Sequence, residues 1–243
     1  MQSNDSIKAL VDIIESRRSI RLFDKTPVPG EVIEKALDLA LLAPNSSNLQ
    51  PWEFYWVRNP ESKSELVKAC FSQAAAATAA ELVVCIARTR TWKRNCEDMK
   101  EQLEKAEKQG ARIPKAAWLY YRKLAPFMYA QGPFGVLGLL KRVGFFILGF
   151  WKPVSREPMS SHDMKIWATK TTALACENFM LAVRAFGFDT CPMEGMDSRR
   201  VKKILKLPGD ALVPMVIAIG KRREDGVTLP RIRGPRSWFI KTI

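Results

Sequence analysis

The chain has 243 residues, 47% apolar and 26% charged, which places it among ordinary globular proteins with one sizeable core. Lys and Arg number 39 against 25 Asp and Glu, and the formal net charge of +14 favours anionic partners: phosphorylated cofactors, acidic lipid or nucleic acid. The five cysteines show no CxxC spacing and His162 is the only histidine, so no metal site, Ser-His-Asp set or paired-carboxylate site is expected. No zinc finger, RRM signature or basic zipper occurs and the basic residues are spread over several segments, so nucleic-acid binding is not expected. No signal-peptide pattern opens the chain, and reduced thiols in a cytoplasmic setting are the expectation.

The first element is predicted to be a helix capped by Asp5 or Ser6, packing through Ile7, Leu10, Val11 and Ile14 at i, i+3, i+4 and i+7. At its end stands Arg17-Arg18-Ser19-Ile20-Arg21, three guanidinium groups and a hydroxyl that could grip a phosphate; the competing reading is a solvated charge run. Turn chemistry at 26–30 leads into a helix over 31–42 with Ile33, Leu37, Ala40 and Leu41 on its buried side, and Pro44 stops it. Asn45-Ser46-Ser47-Asn48 is then free to offer amides and hydroxyls to a ligand, or simply makes the turn. A strand over 53–57 and a helix over 62–71 follow, the latter with Leu66 and Val67 inward. The alanine-rich stretch 74–80 reads as a tightly packed helix, and 82–87 as a buried central strand.

Residues 91–110 read as a charged, solvent-facing helix, whereas 111–158 are rich in aromatics and glycine. Within them 133–150 is strongly apolar, but Lys141 and Arg142 interrupt it short of the ~20 apolar residues a spanning helix needs. Two readings stay open: a lid or dimer-packing element, which is favoured, and an amphipathic element resting in a membrane interface, which would make the protein peripheral to a membrane. Residues 165–186 form a long helix apolar over much of its circumference and so buried on several sides. Gly187 ends it, 188–193 lead into Glu194-Gly195, and Asp197 or Ser198 caps a helix over 199–207. Residues 212–220 read as another central strand, with Pro214 implying a bulge or an edge, and Lys221-Arg222-Arg223 follows as a second basic cluster. The tail, 228–243, carries Trp238 and Phe239 and is expected to pack on a partner subunit.

Three motifs in order, Arg17-Arg18-Ser19-x-Arg21, Pro44-Asn45-Ser46-Ser47-Asn48-x-Gln50-Pro51-Trp52 and Cys191-Pro192-Met193-Glu194-Gly195-Met196-Asp197, resemble the FMN-dependent nitroreductase family. The resemblance covers nearly the whole chain except about 93–161. It implies an α+β fold of three layers, α-β-α, whose central, mainly antiparallel sheet is flanked by helices, in an intertwined homodimer. Residues 1–243 would then be one domain with a non-core insertion at about 93–161 and a C-terminal arm at about 228–243.

For the site, the resemblance implies FMN held by Arg17, Arg18 and Ser19 at phosphate and ribityl, with Arg21 at the N1 and O2 edge. Gln73, or its neighbour Ser72, would face the pyrimidine edge, and the Pro192-Met193 segment would bring the backbone amides of Glu194 and Gly195 to N5. Lys221 and Arg223 would join the phosphate grip, while Pro44, Asn45, Ser46 and Asn48 would come from the second subunit. The protein would supply position and electrostatics and the cofactor the chemistry, with no catalytic side chain. NADH or NADPH would reduce FMN and leave, and a flat acceptor such as a nitroaromatic or quinone would take its place in a ping-pong cycle. Two other readings are a specialised flavin reaction, such as reductive dehalogenation or flavin breakdown, with the insertion as lid, and a non-catalytic basic protein binding a membrane surface or polyanion.

Overall fold

The computed structural model describes residues 2–227 and 229–243, with side chains from Asp5 onward; Thr228, where the arm was expected to begin, lies outside the described residues. Helix α1 (Gln2–Ser16) is followed by α2 (Gly30–Leu41), strand β1 (Trp52–Trp56), α3 (Pro60–Ala69), α4 (Ala74–Thr78) and β2 (Glu81–Arg88). Helices α5 (Trp92–Lys108), α6 (Lys115–Leu119), α7 (Ala125–Tyr129) and α8 (Val136–Leu148) occupy the segment expected to be an insertion, with one π-helical turn, Tyr120–Leu124, between α6 and α7. Then come α9 (Ser161–Ala185), β3 (Asp189–Met193), α10 (Ser198–Ile204), β4 (Ala211–Gly220) and a short terminal helix, α11 (Arg236–Phe239).

The four strands make one antiparallel sheet in the order β1-β2-β4-β3. Alternation along the two central strands assigns its faces. Leu82, Val84, Ile86, Val216 and Ala218 pack on Leu66 and Ala69 of α3, Ala75 and Ala76 of α4 and Val201 of α10. Val83, Cys85, Ile217 and Ile219 pack on Ile33 and Ala36 of α2 and on Cys176, Phe179 and Val183 of α9. The result is the expected three-layer α+β arrangement. Pro214 sits in a central strand because Cys85 pairs with Met215 and Ala87 with Leu212, leaving an extra residue on β4 where proline's missing donor costs no ladder bond.

Helix α9 begins at a capping box, the Ser160 hydroxyl accepting from the Asp163 amide and the Asp163 carboxylate accepting from Ser160 N–H, four residues before the predicted start at 165. Burial acts against ionisation of Asp163, yet the amides of Met159 and Ser160 and the Ser160 hydroxyl hold its carboxyl below the usual range.

Two packing expectations fail. Helix α1 runs from Gln2, so Asp5 lies inside its first turn, and Ile7, Leu10, Val11 and Ile14 face solvent instead of the core. The helix packs mainly along α9, with Arg222 and Arg231 bonding the carbonyls of Ser16 and Glu15 at its end, and its apolar stripe stays exposed among the described residues. In α2, Ile33 and Ala40 are buried and Leu37 packs on the core as expected, but Leu41 is exposed and Val32 and Ala36 complete the buried face instead.

The proximal part of the arm is tied to its own chain: Arg231 Nη2 donates to the carbonyls of Glu15 and Arg17, both at 2.7 Å. Trp238 and Phe239 beyond it are exposed. Among the described residues no helix is long and apolar enough to cross a membrane.

Candidate functional site

After α1 the chain runs beside the start of β3. Ser19 bridges Thr190, the Ile20 amide donates to the Thr190 carbonyl at 3.1 Å, and the Arg21 amide donates to the Gly226 carbonyl at 3.0 Å. Ile20 is fully buried, so its neighbours Ser19 and Arg21 project to the other side. Gly226 closes this seam: a Cβ there would lie 2.6 Å from the Leu22 carbonyl oxygen. The outcome is a cleft lined by Arg17, Arg18, Ser19, Arg21, Arg231 and Arg233, with apolar walls from Val227, Leu229, Pro230 and Ile232 and no carboxylate among the described residues.

None of those five arginines has an acidic partner among the described residues. Arg18 Nη2 donates to the Leu229 carbonyl at 2.6 Å and Arg231 to carbonyls of the α1 end, contacts that orient the cations without neutralising them. Burial pushes the nearby Cys191 thiol pKa up, and Arg21 and Arg17 pull it partly back, a mark of how close the two guanidiniums lie to β3. Thr190 Oγ1, buried beside the bridge to Ser19, has no partner among the described residues. Unpaired forks, a hydroxyl and no carboxylate suit a phosphate group.

The second basic cluster divides. Arg222 is structural: its guanidinium pairs with the buried carboxylate of Asp189 and donates to the Ser16 carbonyl at 3.0 Å. Arg223 is paired with Asp225 at 2.7 Å, and Lys221 Nζ donates to the Gly187 carbonyl at 3.0 Å and stands over the Phe188 ring. Neither side chain lines the Arg17 cleft; the arm's Arg231 and Arg233 occupy that position.

β3 is an edge strand that leads away from the cleft. Among the described residues its outer edge carries the one bridge to Ser19, Met193 turns its side chain into the core, and Pro192 is half-buried. At its far end Gln73, the residue before α4, donates from Nε2 to the Gly195 carbonyl at 2.6 Å and to that of Cys70 at 3.1 Å. The structure thus joins two predicted site residues distant in sequence, with Glu194 and Gly195 exposed beside them. Gly195 is five positions along the chain from Thr190, where Ser19 bridges, on the order of 15 Å.

Pro44, Asn45, Ser46 and Asn48 lie elsewhere. They precede β1, whose first residue Trp52 is two strands from Leu212, whereas Ser19 borders Thr190, which pairs with Ile219. The two motifs occupy diagonally opposite corners of the sheet, on the order of 25 Å apart by strand spacing and rise.

This turn is tightly made. Ser47, Asn48 and Gln50 have φ of 61°, 49° and 42°, and the Asn45 carboxamide accepts from the Gln50 amide at 2.9 Å. The insertion holds it. Tyr129 Oη bonds Ser46 Oγ at 3.1 Å and Ser47 Oγ at 3.0 Å, Tyr120 Oη bonds Ser47 Oγ, Tyr121 Oη donates to the Ser47 carbonyl at 3.1 Å, and Asn95 Nδ2 donates to that of Leu49 at 2.6 Å. Burial raises the Tyr129 pKa, with the two serine bonds opposing it. Sequence reasoning did not select these tyrosines, Asn95, Arg231 or Arg233; the one local signal was their density in an aromatic and basic segment.

The family model described as the nitroreductase family matches residues 14–221. A Thermus thermophilus protein named NADH dehydrogenase is 30% identical over 216 residues, 89% of this chain and 88% of its own. Among solved structures, a Bacillus subtilis protein assigned as a nitroreductase, YdfN, superposes with a TM-score of 0.74 at 21% identity, covering 98% of this chain and 100% of that one. An Exiguobacterium sibiricum protein assigned as a nitroreductase, in complex with FMN, gives a TM-score of 0.70 at 23% identity over 96% and 97% of the two chains. With the matched family model spanning most of its length, the chain belongs to the nitroreductase family.

Proposed function

We propose that this protein is an FMN-dependent oxidoreductase that draws electrons from NADH or NADPH and passes them to a flat acceptor such as a nitroaromatic or quinone, each complete site being assembled from two copies of the chain. The observation that carries the reading is the carboxylate-free cleft of unpaired arginines at the head of an open strand edge. FMN, when bound, supplies the redox chemistry that no side-chain set in this protein offers. Arg17, Arg18 and Ser19 would hold its phosphate and ribityl chain. Arg21 places a fixed positive charge next to β3, where it favours added negative charge on the ring. The exposed Glu194-Gly195 backbone, held by the Gln73 carboxamide, offers amides at the far end of that edge.

The need for a second copy follows from the diagonal separation of the arginine cleft and the Pro44 to Asn48 turn. The exposed apolar stripe of α1 and the exposed end of the arm supply surface for such an assembly. The FMN complex of the Exiguobacterium relative and the name of the Thermus relative agree with the cofactor and the donor. In this reading the tyrosine-braced turn borders the acceptor position, so residues 92–131 shape which acceptors enter, as a specialised flavin enzyme of this fold would also require.

The experiment is an absorbance spectrum of the purified protein with sedimentation of the same sample. A yellow dimer that releases FMN on denaturation and oxidises NADH or NADPH in the presence of menadione is expected. A colourless monomer that takes up no added FMN would overturn the reading.

A further inference from the structure

We propose that α8 seats the protein on an anionic lipid surface, lying in the plane of the membrane interface. The inference rests on the insertion alone and is independent of the flavin reading. Helix α8 is turned inside out for a soluble domain. Gly138, Lys141, Phe145 and Leu148, at i, i+3, i+7 and i+10, face the protein. A Cβ on Gly138 would lie 2.0 Å from the Met159 carbonyl oxygen, and Lys141, 5% exposed, donates to the carbonyls of Phe127, Met128 and Ala130 at 2.9, 2.8 and 2.7 Å. Those carbonyls are the ones the end of α7 leaves without helical partners. A lysine and a glycine therefore dock the helix, with Phe145 set edge-on to Phe127.

The opposite face carries Val136, Leu139, Leu140, Val143, Phe146 and Ile147 at i, i+3, i+4, i+7, i+10 and i+11, every one at least 50% exposed, and continues into Phe150 and Trp151. At 13 residues the helix is about 20 Å long, too short to span a bilayer of ~30 Å and suited to lying along its surface.

Charge selects the occupant. Residues 108–156 contain nine Lys and Arg and no Asp or Glu. Arg122, Lys123, Arg142, Lys152 and Arg156 are all exposed. An apolar stripe rimmed mostly by cations, of which Arg142 alone stands near a carboxylate, Asp163 at 4.0 Å, with tryptophan beside it, is what an acidic lipid interface attracts. The other exposed stripe, on α1, has Asp5, Asp12 and Glu15 against a single Lys8, the mixed rim of a protein contact. Pairing α8 with a second α8 would bring two carboxylate-free basic segments together, which like-charge repulsion opposes.

The test is flotation of the full-length protein with vesicles of phosphatidylglycerol and phosphatidylcholine or of phosphatidylcholine alone. We expect binding to the anionic vesicles only, reduced about tenfold or more when salt rises from 0.1 to 0.5 M as screening shortens the field. The double variant Leu140→Glu/Phe146→Glu should lose binding and keep the wild-type size in sedimentation. The milder Leu140→Ser/Phe146→Ser should weaken it about tenfold. Failure of the wild-type protein to float, or flotation retained by both α8 variants, overturns the proposal. So does a change of oligomeric size in the Ser variant, which would show that a second copy covers this face.

Discussion

Two corners of the sheet each hold arginines, and the groups around them differ in kind. At the β1 corner Arg88 is bidentate to Asp210, with both bonds at 3.1 Å, and reaches Glu53 at 2.6 Å, so one guanidinium ties the ends of three strands. At the β3 corner Asp189, 2% exposed, receives Arg184 at 2.8 Å and Arg222 as well, joining the end of α9 to β3 and β4. A few residues away Arg17 and Arg21 have no carboxylate partner among the described residues. The difference separates cations spent on architecture from cations left for a ligand. Arg222, flanked by Lys221 and Arg223, belongs to the first kind although its neighbours in sequence looked identical. A carboxylate within reach, not the density of basic residues, makes the distinction.

The largest effect that tests it is Asp189→Ala. Removing the one acid leaves Arg184 and Arg222 half-buried with their counter-charge gone, and breaking a buried pair costs about 3–5 kcal/mol. Urea denaturation should show a loss of that size; a loss below about 1 kcal/mol would put Asp189 among ordinary surface pairs. Next is Arg17→Ala, which should leave the unfolding midpoint unchanged and weaken FMN binding at least tenfold, the loss of one charge-assisted bond at about 1.5–3 kcal/mol. Arg200→Ala is the control, since Arg200 pairs with Asp197 on an exposed helix surface. Equal affinity losses in the two variants, read by titrating FMN into the stripped protein, would show that overall charge and not the cleft holds the cofactor.

Most of the fold was legible because it is written locally. Period-2 and period-3.6 patterns gave three of the four strands and the main helices, though not edge strand β3; of the two readings offered for Pro214 the bulge holds, and of the two caps offered Asp197 holds, accepting from the amides of Arg199 and Arg200. What was not legible depends on partners far along the chain. The stripe of α1 has perfect helical spacing, yet spacing does not say whether the surface it needs belongs to the same chain. Tyr129 meets Ser47 across 82 positions and Arg231 meets Arg17 across 214, and no local pattern marks either. The site was half legible for the same reason: its motifs could be found as polar islands, but the diagonal that separates them appears only in the sheet order.

Acid stability sharpens the comparison at the β1 corner. Burial acts against ionisation of Asp210, yet bonds from Arg88 and from the Arg90 amide hold its carboxyl below the usual range. A carboxylate whose folded pKa is depressed stabilises the fold above its unfolded pKa, near 3.9, and that stabilisation is lost as pH falls through the folded value. Asp210→Asn should therefore cost about 1.5 kcal/mol at pH 7, as charge-assisted bonds become neutral ones. The difference from wild type should shrink as the pH is lowered below about 4. A difference constant from pH 7 to pH 2 would mean that the ionised form of Asp210 contributes nothing to the corner.

The smallest effect lies at the turn, where the bonds carry no charge. Tyr129 is 3% exposed, its ring is 4.9 Å from that of Trp167, and its hydroxyl meets both Ser46 and Ser47. Tyr129→Phe keeps the ring and removes the hydroxyl alone. Ser46 is exposed and can turn to water, and Ser47 keeps Tyr120, so neither serine is left buried without a partner. The loss should then be that of ordinary neutral hydrogen bonds, about 1 kcal/mol in total, with no change in the slope of the denaturation curve. A loss approaching that of Asp189→Ala would mean that the hydroxyl network is held as firmly as the ion pairs. The turn, with Ser47 and Asn48 at positive φ, would then be a rigid wall whose shape the insertion maintains at the same energetic level as the sheet.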